Sequence, residues 1–147
     1  MTTRFYVDTC IWLNLFKKEG DPSKGVPYWK IAQDFINKVI LSEDCEIIYS
    51  NIVLKEIYFN LKNKYQFNQK LFFMKRQRKF KFFIMSPQDY ELARKFEIEC
   101  GRAISFCDCL NTAICKRLGM LLVTRDRALI EFAKNHISVN KPENLLI

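Results

Sequence analysis

Short apolar runs alternate along the chain with longer segments in which apolar residues recur every three to four positions. Such runs predict buried strands, and the longer segments predict amphipathic helices. Strands are predicted at residues 5–7, 46–49, 81–85 and 121–124, with a short edge strand at 137–139. A first helix is predicted to open at Ile11, and further helices to cover approximately residues 27–41, 52–60, 63–78, 87–99, 106–118 and 128–135. Since strands alternating with helices are typical of parallel sheets, we predict an α/β fold, a parallel sheet of four to five strands with helices on both faces.

The length of 147 residues predicts a single domain spanning 1–147. A chain of this size buries about 68–70% of its unfolded surface and needs no disulfide or metal to fold. The amino terminus lacks the pattern of a secretory signal, and no apolar run approaches the roughly 18 residues of a membrane span. We therefore expect a soluble cytoplasmic protein.

The cysteine and histidine content limits the possible chemistry. The six cysteines include no Cys-x-x-Cys pair, and His136 is the single histidine. This spacing argues against a zinc site, and the expected compartment argues against disulfides. We expect reduced cysteines that pack as small apolar residues. Nucleophilic mechanisms that pair a histidine with serine or cysteine are nearly excluded.

The net charge of +8 is concentrated in one stretch. Eight basic residues lie between Lys62 and Lys81, and no acid occurs between Glu56 and Asp89. The rest of the chain has 16 basic and 16 acidic residues. This placement indicates an anionic partner. A partial apolar face is also predicted in this stretch, formed by Phe67, Leu71, Phe72 and Met74.

Four acids are candidates for chemistry because a parallel sheet would bring them to one edge. Asp8 and Asp126 follow predicted strands, Glu56 lies in a helix among apolar neighbours, and Asp108 lies early in another helix. Clustered carboxylates repel unless protons or metal ions offset them, and ligands that are all oxygen suit Mg²⁺ or Mn²⁺. Each acid also has a structural alternative. Asp8 and Asp126 could cap helices, Asp108 could complete a capping box opened by Ser105, and Glu56 could pair with a surface lysine.

The order of these motifs resembles that of the PIN domain, and within it the small VapC-type toxins of toxin–antitoxin pairs. The motifs are Tyr6-Val7-Asp8-Thr9, Glu56 in a helix, Ser105-x-x-Asp108 and Thr124-Arg125-Asp126. The resemblance covers essentially the whole chain, to Val139-Asn140-Lys141-Pro142, and the unusually basic segment departs from it. It implies a metal-dependent endoribonuclease whose catalytic quartet is Asp8, Glu56, Asp108 and Asp126. It also implies products with a 5′-phosphate, a cognate antitoxin and, often, a homodimer.

The roles expected of individual residues follow from this resemblance and from the chemistry of phosphodiester hydrolysis. Asp8 and Asp108 are expected to bind Mg²⁺ or Mn²⁺ directly, while Asp126 and Glu56 bind a second ion or orient water. Thr9, Asn111 and Thr124 are expected to support these acids. The residues expected to contact RNA phosphates beside the carboxylate pocket are Lys75, Arg76, Arg78 and Lys79.

Three alternative functions can be distinguished from this one. An RNA-processing or flap-type PIN nuclease would use the same chemistry without a toxin role, and an antitoxin gene directly upstream would distinguish the two. A non-catalytic RNA-binding module is disfavoured because the acidic quartet is intact. A haloacid-dehalogenase-like phosphatase needs a second aspartate two residues after the first, and Cys10 occupies that position.

Overall fold

The computed structural model describes residues 2–146 and arranges their strands in a five-stranded sheet. The strands are β1 (Thr3–Val7), β2 (Cys45–Ser50), β3 (Phe80–Phe83), β4 (Leu121–Val123) and β5 (Val139–Asn140). They lie in the order β3-β2-β1-β4-β5, and each neighbouring pair is parallel. The predicted fold class, an α/β fold built on a parallel sheet, is confirmed.

The strands are joined by helices. These are α1 (Thr9–Phe16), α2 (Tyr28–Leu41), α3 (Asn51–Leu61), α4 (Lys64–Arg76), α5 (Pro87–Cys100), α6 (Phe106–Leu118) and α7 (Arg127–Ala133). Short 3₁₀ turns occupy Pro22–Lys24 and Pro142–Leu145. Several helices begin where the sequence places a cap. Ser50 and Ser105 accept the N–H groups of Val53 and Asp108, and Ser86 forms the predicted capping box with Asp89.

The chain order places a topological switch point beside β1. From β1 the chain continues through β2 to β3 on one side, and it then crosses to β4 and β5 on the other. The chain leaves β1 towards β2 and leaves β4 towards β5, so the loops that follow these two adjacent strands run in opposite directions. A crevice lies between the two loops at the carboxyl edge of the sheet. Ligands of open parallel sheets bind at such a point.

Some element boundaries differ from the prediction for identifiable reasons. β3 begins at Phe80 and ends before Met85, whose N–H bonds the side chain of Asn51. The edge strand lies at Val139–Asn140 because the N–H of Ile137 still bonds the carbonyl of Ala133. These shifts follow from single hydrogen bonds to residues outside the strand, which an apolar pattern does not reveal.

The core lies on both faces of the sheet and contains large side chains from β1 and α1 as well as from the other helices. Tyr6 and Trp12 are fully buried. In α4, the prediction that Phe72 belongs to the apolar face is wrong, since this side chain is 62% exposed. Phe73 packs instead, with its ring 6.4 Å from that of Phe16 and 6.0 Å from that of Phe80. None of the helices within residues 2–146 has the length and apolar character that crossing a bilayer requires.

Candidate active site

Asp8 lies at the centre of the candidate site, directly after β1. Its carboxylate is buried and accepts hydrogen bonds from the N–H of Thr9 at 2.9 Å and from Oγ1 of Thr124 at 2.7 Å. Nδ2 of Asn111 lies 3.5 Å from the same carboxylate. Burial raises the pKa of Asp8, the hydrogen bond from Thr124 opposes this shift, and the charge of Glu56 adds to it. The charged form of Asp8 is therefore disfavoured by burial and by the nearby charge of Glu56.

Two threonines connect Asp8 to other acids of the predicted quartet. Oγ1 of Thr9, the residue after Asp8, donates to Oε1 of Glu56 at 2.9 Å. Oγ1 of Thr124, which bonds Asp8, also accepts the N–H of Asp126 at 3.1 Å. The path from Glu56 through Thr9, Asp8 and Thr124 to Asp126 thus joins α3, β1 and the loop after β4. The alternative in which Glu56 pairs with a surface lysine is not the arrangement found.

Asp108 is the fourth acid, in the first turn of α6 and one turn before Asn111. Burial, together with the charges of Asp8 and Asp126, raises its pKa to about 6, and hydrogen bonding by Ser105 partly opposes this. The charge of Asp108 in turn contributes to the raised pKa of Glu56, for which burial is the larger cause. The structure therefore brings the acids close enough for each to affect the protonation of another.

The capping alternatives proved compatible with the cluster. The carboxylate of Asp8 caps α1, and Oδ1 of Asp126 caps α7 by accepting the N–H of Leu129 at 3.2 Å. A cap uses one oxygen of each carboxylate, which leaves the other oxygen for a different partner. Asp8 and Asp126 can therefore each cap a helix and still belong to the acidic cluster.

A buried polar chain behind Asp8 was missed by the sequence reasoning. The hydroxyl of Tyr6 donates to Oδ1 of Asn111 at 2.6 Å and lies 2.7 Å from Oγ of Ser50. Since the phenol proton goes to Asn111, the Ser50 hydroxyl donates to Tyr6. This chain fixes the amide of Asn111 with its NH₂ group towards Asp8. A tyrosine hydroxyl in a strand as buried as β1 requires a partner, and that requirement was the available signal.

Cys10 is another neighbour of Asp8 that was not predicted. Its Sγ lies 3.5 Å from Oδ2 of Asp8 and 3.6 Å from Oγ1 of Thr124. Burial, with the charge of Asp8, raises the pKa of this thiol to about 12. Cys10 is therefore protonated near neutral pH and acts as a weak donor to Asp8. The six cysteines are free thiols, and Cys109 and Cys115 are buried among apolar residues.

The donor set of the cluster fits a hydrated divalent cation. Within residues 2–146 no three His, Cys, Asp or Glu side chains converge closely enough to hold a metal ion between them. Mg²⁺, however, is commonly bound through one or two carboxylates and retains several waters. Burial is the main cause of the raised pKa values of Asp8, Glu56 and Asp108, and the charge of another acid of the site raises each of them further, an effect that a nearby cation would offset. Oxygen ligands select Mg²⁺ or Mn²⁺ over softer metals.

The basic residues proposed to contact RNA lie away from this pocket, which corrects the expected placement. β3 runs parallel to β2, so the chain enters it from the amino edge of the sheet. The register places Lys79 level with Glu46 on β2 and with Arg4 on β1. Arg4 precedes Asp8 by four residues, so Lys79 lies about 13 Å along the strand direction from Asp8, at roughly 3.3 Å per residue. The last turn of α4 and the residues before β3, which include Lys75, Arg76, Arg78 and Lys79, therefore lie at the opposite edge. Lys79 is half-buried, and the other three are exposed.

The sheet order and the acids at its switch point define an α/β protein with a polar site at the carboxyl ends of the central strands. The chain belongs to the PIN domain family, whose sequence profile matches residues 5–135. No curated protein matches the chain significantly. The predicted resemblance to this family is confirmed.

Solved structures with the same fold include several toxin–antitoxin proteins. VapBC2 from Rickettsia felis, bound to a DNA fragment from its promoter, has a TM-score of 0.67 and 20% identity over 95% of this chain and 98% of that chain. A toxin–antitoxin complex from Klebsiella pneumoniae has a TM-score of 0.66 and 18% identity over 96% and 98%. Mycobacterium tuberculosis VapC20, a toxin that cleaves the Sarcin-Ricin loop, has a TM-score of 0.66 and 17% identity over 90% and 95%. At these identities the likeness shows a shared fold.

Proposed function

We propose that this protein is a metal-dependent endoribonuclease and the toxin of a toxin–antitoxin pair. Membership of the PIN domain family supports the coarser assignment, a nuclease that hydrolyses phosphodiester bonds. The observation that carries the proposal is the hydrogen-bonded path from Glu56 through Asp8 to Asp126 across the switch point. Asp108 completes the catalytic quartet from the first turn of α6.

Asp8 and Asp108 are the proposed direct ligands of Mg²⁺ or Mn²⁺, and Asp126 is the proposed ligand of a second ion, so no single ion requires three of these carboxylates. When bound, such an ion polarises the phosphoryl group and makes its bound water more acidic. Thr124 and Asn111 contact opposite oxygens of Asp8 and so fix the rotation of its carboxylate. Glu56 is held at Oε1 by Thr9, and we propose that its other oxygen orients the attacking water. Its raised pKa suits a group that accepts a proton.

RNA is the proposed substrate, and the basic stretch is proposed to bind its phosphates. Proteins that bind single strands follow the backbone along a positively charged groove, and in OB-folds each domain covers roughly 4–16 nucleotides. One strand could therefore contact both the acids and the cations at the opposite edge of the sheet. The anionic partner indicated by the concentrated charge is consistent with this substrate.

The proposed partners are a cognate antitoxin and a second copy of this chain. The solved neighbours that include toxin–antitoxin complexes support the antitoxin. The homodimer is supported by large apolar side chains exposed on and beside the edge strand β3, such as Phe82 and Ile84. We further propose that residues 1–147 form a single PIN domain that acts in the cytoplasm.

Metal removal tests the catalytic part of the proposal. Treatment with EDTA should abolish cleavage of a single-stranded RNA by the purified protein, and Mg²⁺ or Mn²⁺ should restore it. The cation should also raise the melting temperature, because an ion at 100 times its Kd stabilises the folded state by about 2.7 kcal/mol. Cleavage that persists undiminished after verified metal removal would contradict the metal mechanism.

The toxin assignment has its own test. Expression without the upstream neighbouring gene should arrest growth, and sequencing of cellular RNA should reveal new ends with a 5′-phosphate. Co-expression of the neighbour should suppress both effects. RNA ends that accumulate without growth arrest, or an absence of any inhibitory neighbour, would favour a processing nuclease instead.

A further inference from the structure

Arg125 lies between Thr124 and Asp126, and its side chain joins three distant segments of the chain. Its Nη1 donates to Oε2 of Glu143, in the 3₁₀ turn Pro142–Leu145, at 2.9 Å. Its Nε donates to Oδ1 of Asn14, in α1, at 3.4 Å. The guanidinium also lies over the ring of Tyr28, at the start of α2, with Cζ 4.0 Å from the ring centre.

The burial of this arginine sets a strong constraint on the loop that carries it. The side chain of Arg125 is only 13% exposed, and that of Glu143 is 36% exposed. Although burial raises the pKa of Glu143, the hydrogen bond and charge of Arg125 outweigh it and hold that pKa below its usual value. Removing one partner of such a pair leaves an uncompensated charge, whereas the intact pair adds little net stability. We therefore attribute the Arg125–Glu143 pair to conformational specificity, meaning that it selects one conformation of the loop.

The residues on either side of Arg125 make three hydrogen bonds at the candidate site through their side chains. Before it, Oγ1 of Thr124 bonds Asp8 and accepts the N–H of Asp126. After it, Oδ1 of Asp126 accepts the N–H of Leu129 at the start of α7. A residue anchored in the middle of this turn restricts the dihedral angles on both sides. The anchor of Arg125 therefore acts on Thr124 and Asp126 together.

We propose that Arg125 is a positioning residue that clamps the Thr124–Asp126 turn to the C-terminal turn through Glu143. The clamp holds Thr124 against Asp8 and sets the direction of the Asp126 carboxylate. Its effect on catalysis rests on the proposed nuclease function, but the clamp itself does not. Because Glu143 is the partner of Arg125, loss of Glu143 near the end of the chain should make the Thr124–Asp126 turn at the acidic site less rigid.

Amide hydrogen exchange measures whether the Thr124–Asp126 turn is held in place, and it requires no substrate. In Arg125→Gln and Glu143→Gln, the amides of Asp126 and Leu129 should exchange faster, because both bond within the turn. Amides of the central strand β2 should exchange as in the wild type. The matched control is Arg127→Gln, which removes the same charge from an exposed residue two positions on. Arg125→Lys should restore part of the protection, since it keeps the charge but loses the planar fork.

Steady-state cleavage separates positioning from substrate binding. Arg125→Gln should lower kcat ten- to hundredfold while KM changes less than twofold, since small displacements of a catalytic group have effects of that size. Arg127→Gln should leave kcat unchanged. If Arg125→Gln does not fold, Glu143→Gln, which replaces the charged acceptor of Arg125 with a weaker neutral one, gives the same comparison.

Two outcomes would overturn the clamp. One is exchange at Asp126 and Leu129 that matches the Arg127→Gln control. The other is faster exchange spread evenly over all strands, which would indicate global destabilisation. A wild-type protein that cleaves no RNA would refute the proposed function alone, because the exchange measurement would still decide whether the turn is clamped.

Discussion

At the scale of single residues, the acids of the site are held in different ways. Asp8 is buried and bonded by Thr9 and Thr124, whereas Asp126 is exposed and caps α7 through Oδ1. At Asp126 an asparagine retains the oxygen that accepts the N–H of Leu129, so the substitution removes the charge and keeps the cap. At Asp8 it retains only one of two accepting oxygens, because Thr9 and Thr124 bond different oxygens, and its NH₂ group must face one of these partners.

We predict that Asp8→Asn and Asp126→Asn each abolish RNA cleavage while the protein remains folded. Asparagine is as good an N-cap as aspartate, so α7 should persist in Asp126→Asn. In Asp8→Asn, the loss of a buried charge should offset the weaker hydrogen bonds to the amide. Cleavage and thermal melting should be measured on the same samples, with the exposed Asp34→Asn as control. Near-wild-type cleavage in either variant would remove that acid from the site.

Asp108 should make the stability of the metal-free protein depend on pH. Its pKa is raised from 3.8 to about 6 by burial and by the charges of Asp8 and Asp126. Because the folded-state value is the higher one, this group favours the fold at low pH, and the contribution is lost as the pH rises through about 6.

Asp108→Asn should therefore stabilise the metal-free protein above that pH. We expect a gain on the order of 1 kcal/mol at about pH 7.5, after allowance for solvent screening, and almost none at about pH 4. Thermal melts across this range measure the effect. Asp44→Asn is the control, since hydrogen bonding by Ser42 lowers the pKa of that exposed acid. A gain that does not vary with pH would show that charge repulsion is not its cause.

At the scale of secondary-structure elements, one ion pair joins the start of α5 to the last turn of α6, the helix that carries Asp108. The carboxylate of Asp89 is fully buried and accepts Nε and Nη2 of Arg117 at 2.6 and 2.9 Å. Burial raises the pKa of Asp89, but the hydrogen bonds from Arg117 and Ser86 outweigh it and lower the pKa overall. This pair fixes how the two helices pack.

We predict that Arg117→Met lowers the free energy of unfolding by roughly 2–3 kcal/mol at neutral pH, because it strands a buried carboxylate. Since the folded-state pKa of Asp89 is depressed, the stabilisation is present above about pH 4 and lost as the pH falls below it. Denaturant unfolding at neutral pH and below about pH 4 would measure this change in the free energy of unfolding. Lys134→Met, which breaks an exposed pair with Glu131, should leave the free energy of unfolding nearly unchanged. An equal effect from both variants would refute the prediction.

Most elements were predictable from sequence because strands and helices follow local apolar patterns, and several helices also begin at a capping residue. Two acids of the candidate site were predictable from strand ends, and Glu56 and Asp108 from their helix positions and the resemblance to the PIN domain. Asp8 and Asp126 follow β1 and β4, and a parallel sheet brings such ends to one edge. Contacts that pair distant residues were not predictable. The Arg125–Glu143 pair has no local signature, and neither has the orientation that buries Phe73 while Phe72 is exposed.

At the scale of the whole molecule, the acids and the concentrated positive charge occupy different edges of the sheet. The acids lie beyond the carboxyl ends of β1 and β4, and the cations lie where the chain enters β3. This separation follows from the parallel topology, in which the chain enters every strand at the amino edge of the sheet. Binding and chemistry should therefore respond independently to mutation.

We predict that four glutamine substitutions in the basic stretch weaken RNA binding without changing the cleavage of bound RNA. Each phosphate contact to a single strand contributes about 0.7 to the slope of log K against log salt concentration, so the loss of four contacts should flatten the slope by about 2–3. The lower value allows for Lys79, which is half-buried. Affinity at physiological salt should fall several-fold or more, while single-turnover cleavage at saturating protein should be unchanged. The substituted residues are Lys75, Arg76, Arg78 and Lys79.

The slope is best measured in an Asp8→Asn background, so that the RNA stays intact during titration. A control variant should lose the same net charge from exposed positions elsewhere, and its slope should change less. The control positions are Lys95, Arg102, Lys116 and Lys141. If the two quadruple variants have the same slope, the basic stretch is not the RNA track. Its charge would then serve a protein interface, and loss of antitoxin binding or of the homodimer in the first variant alone would identify which one.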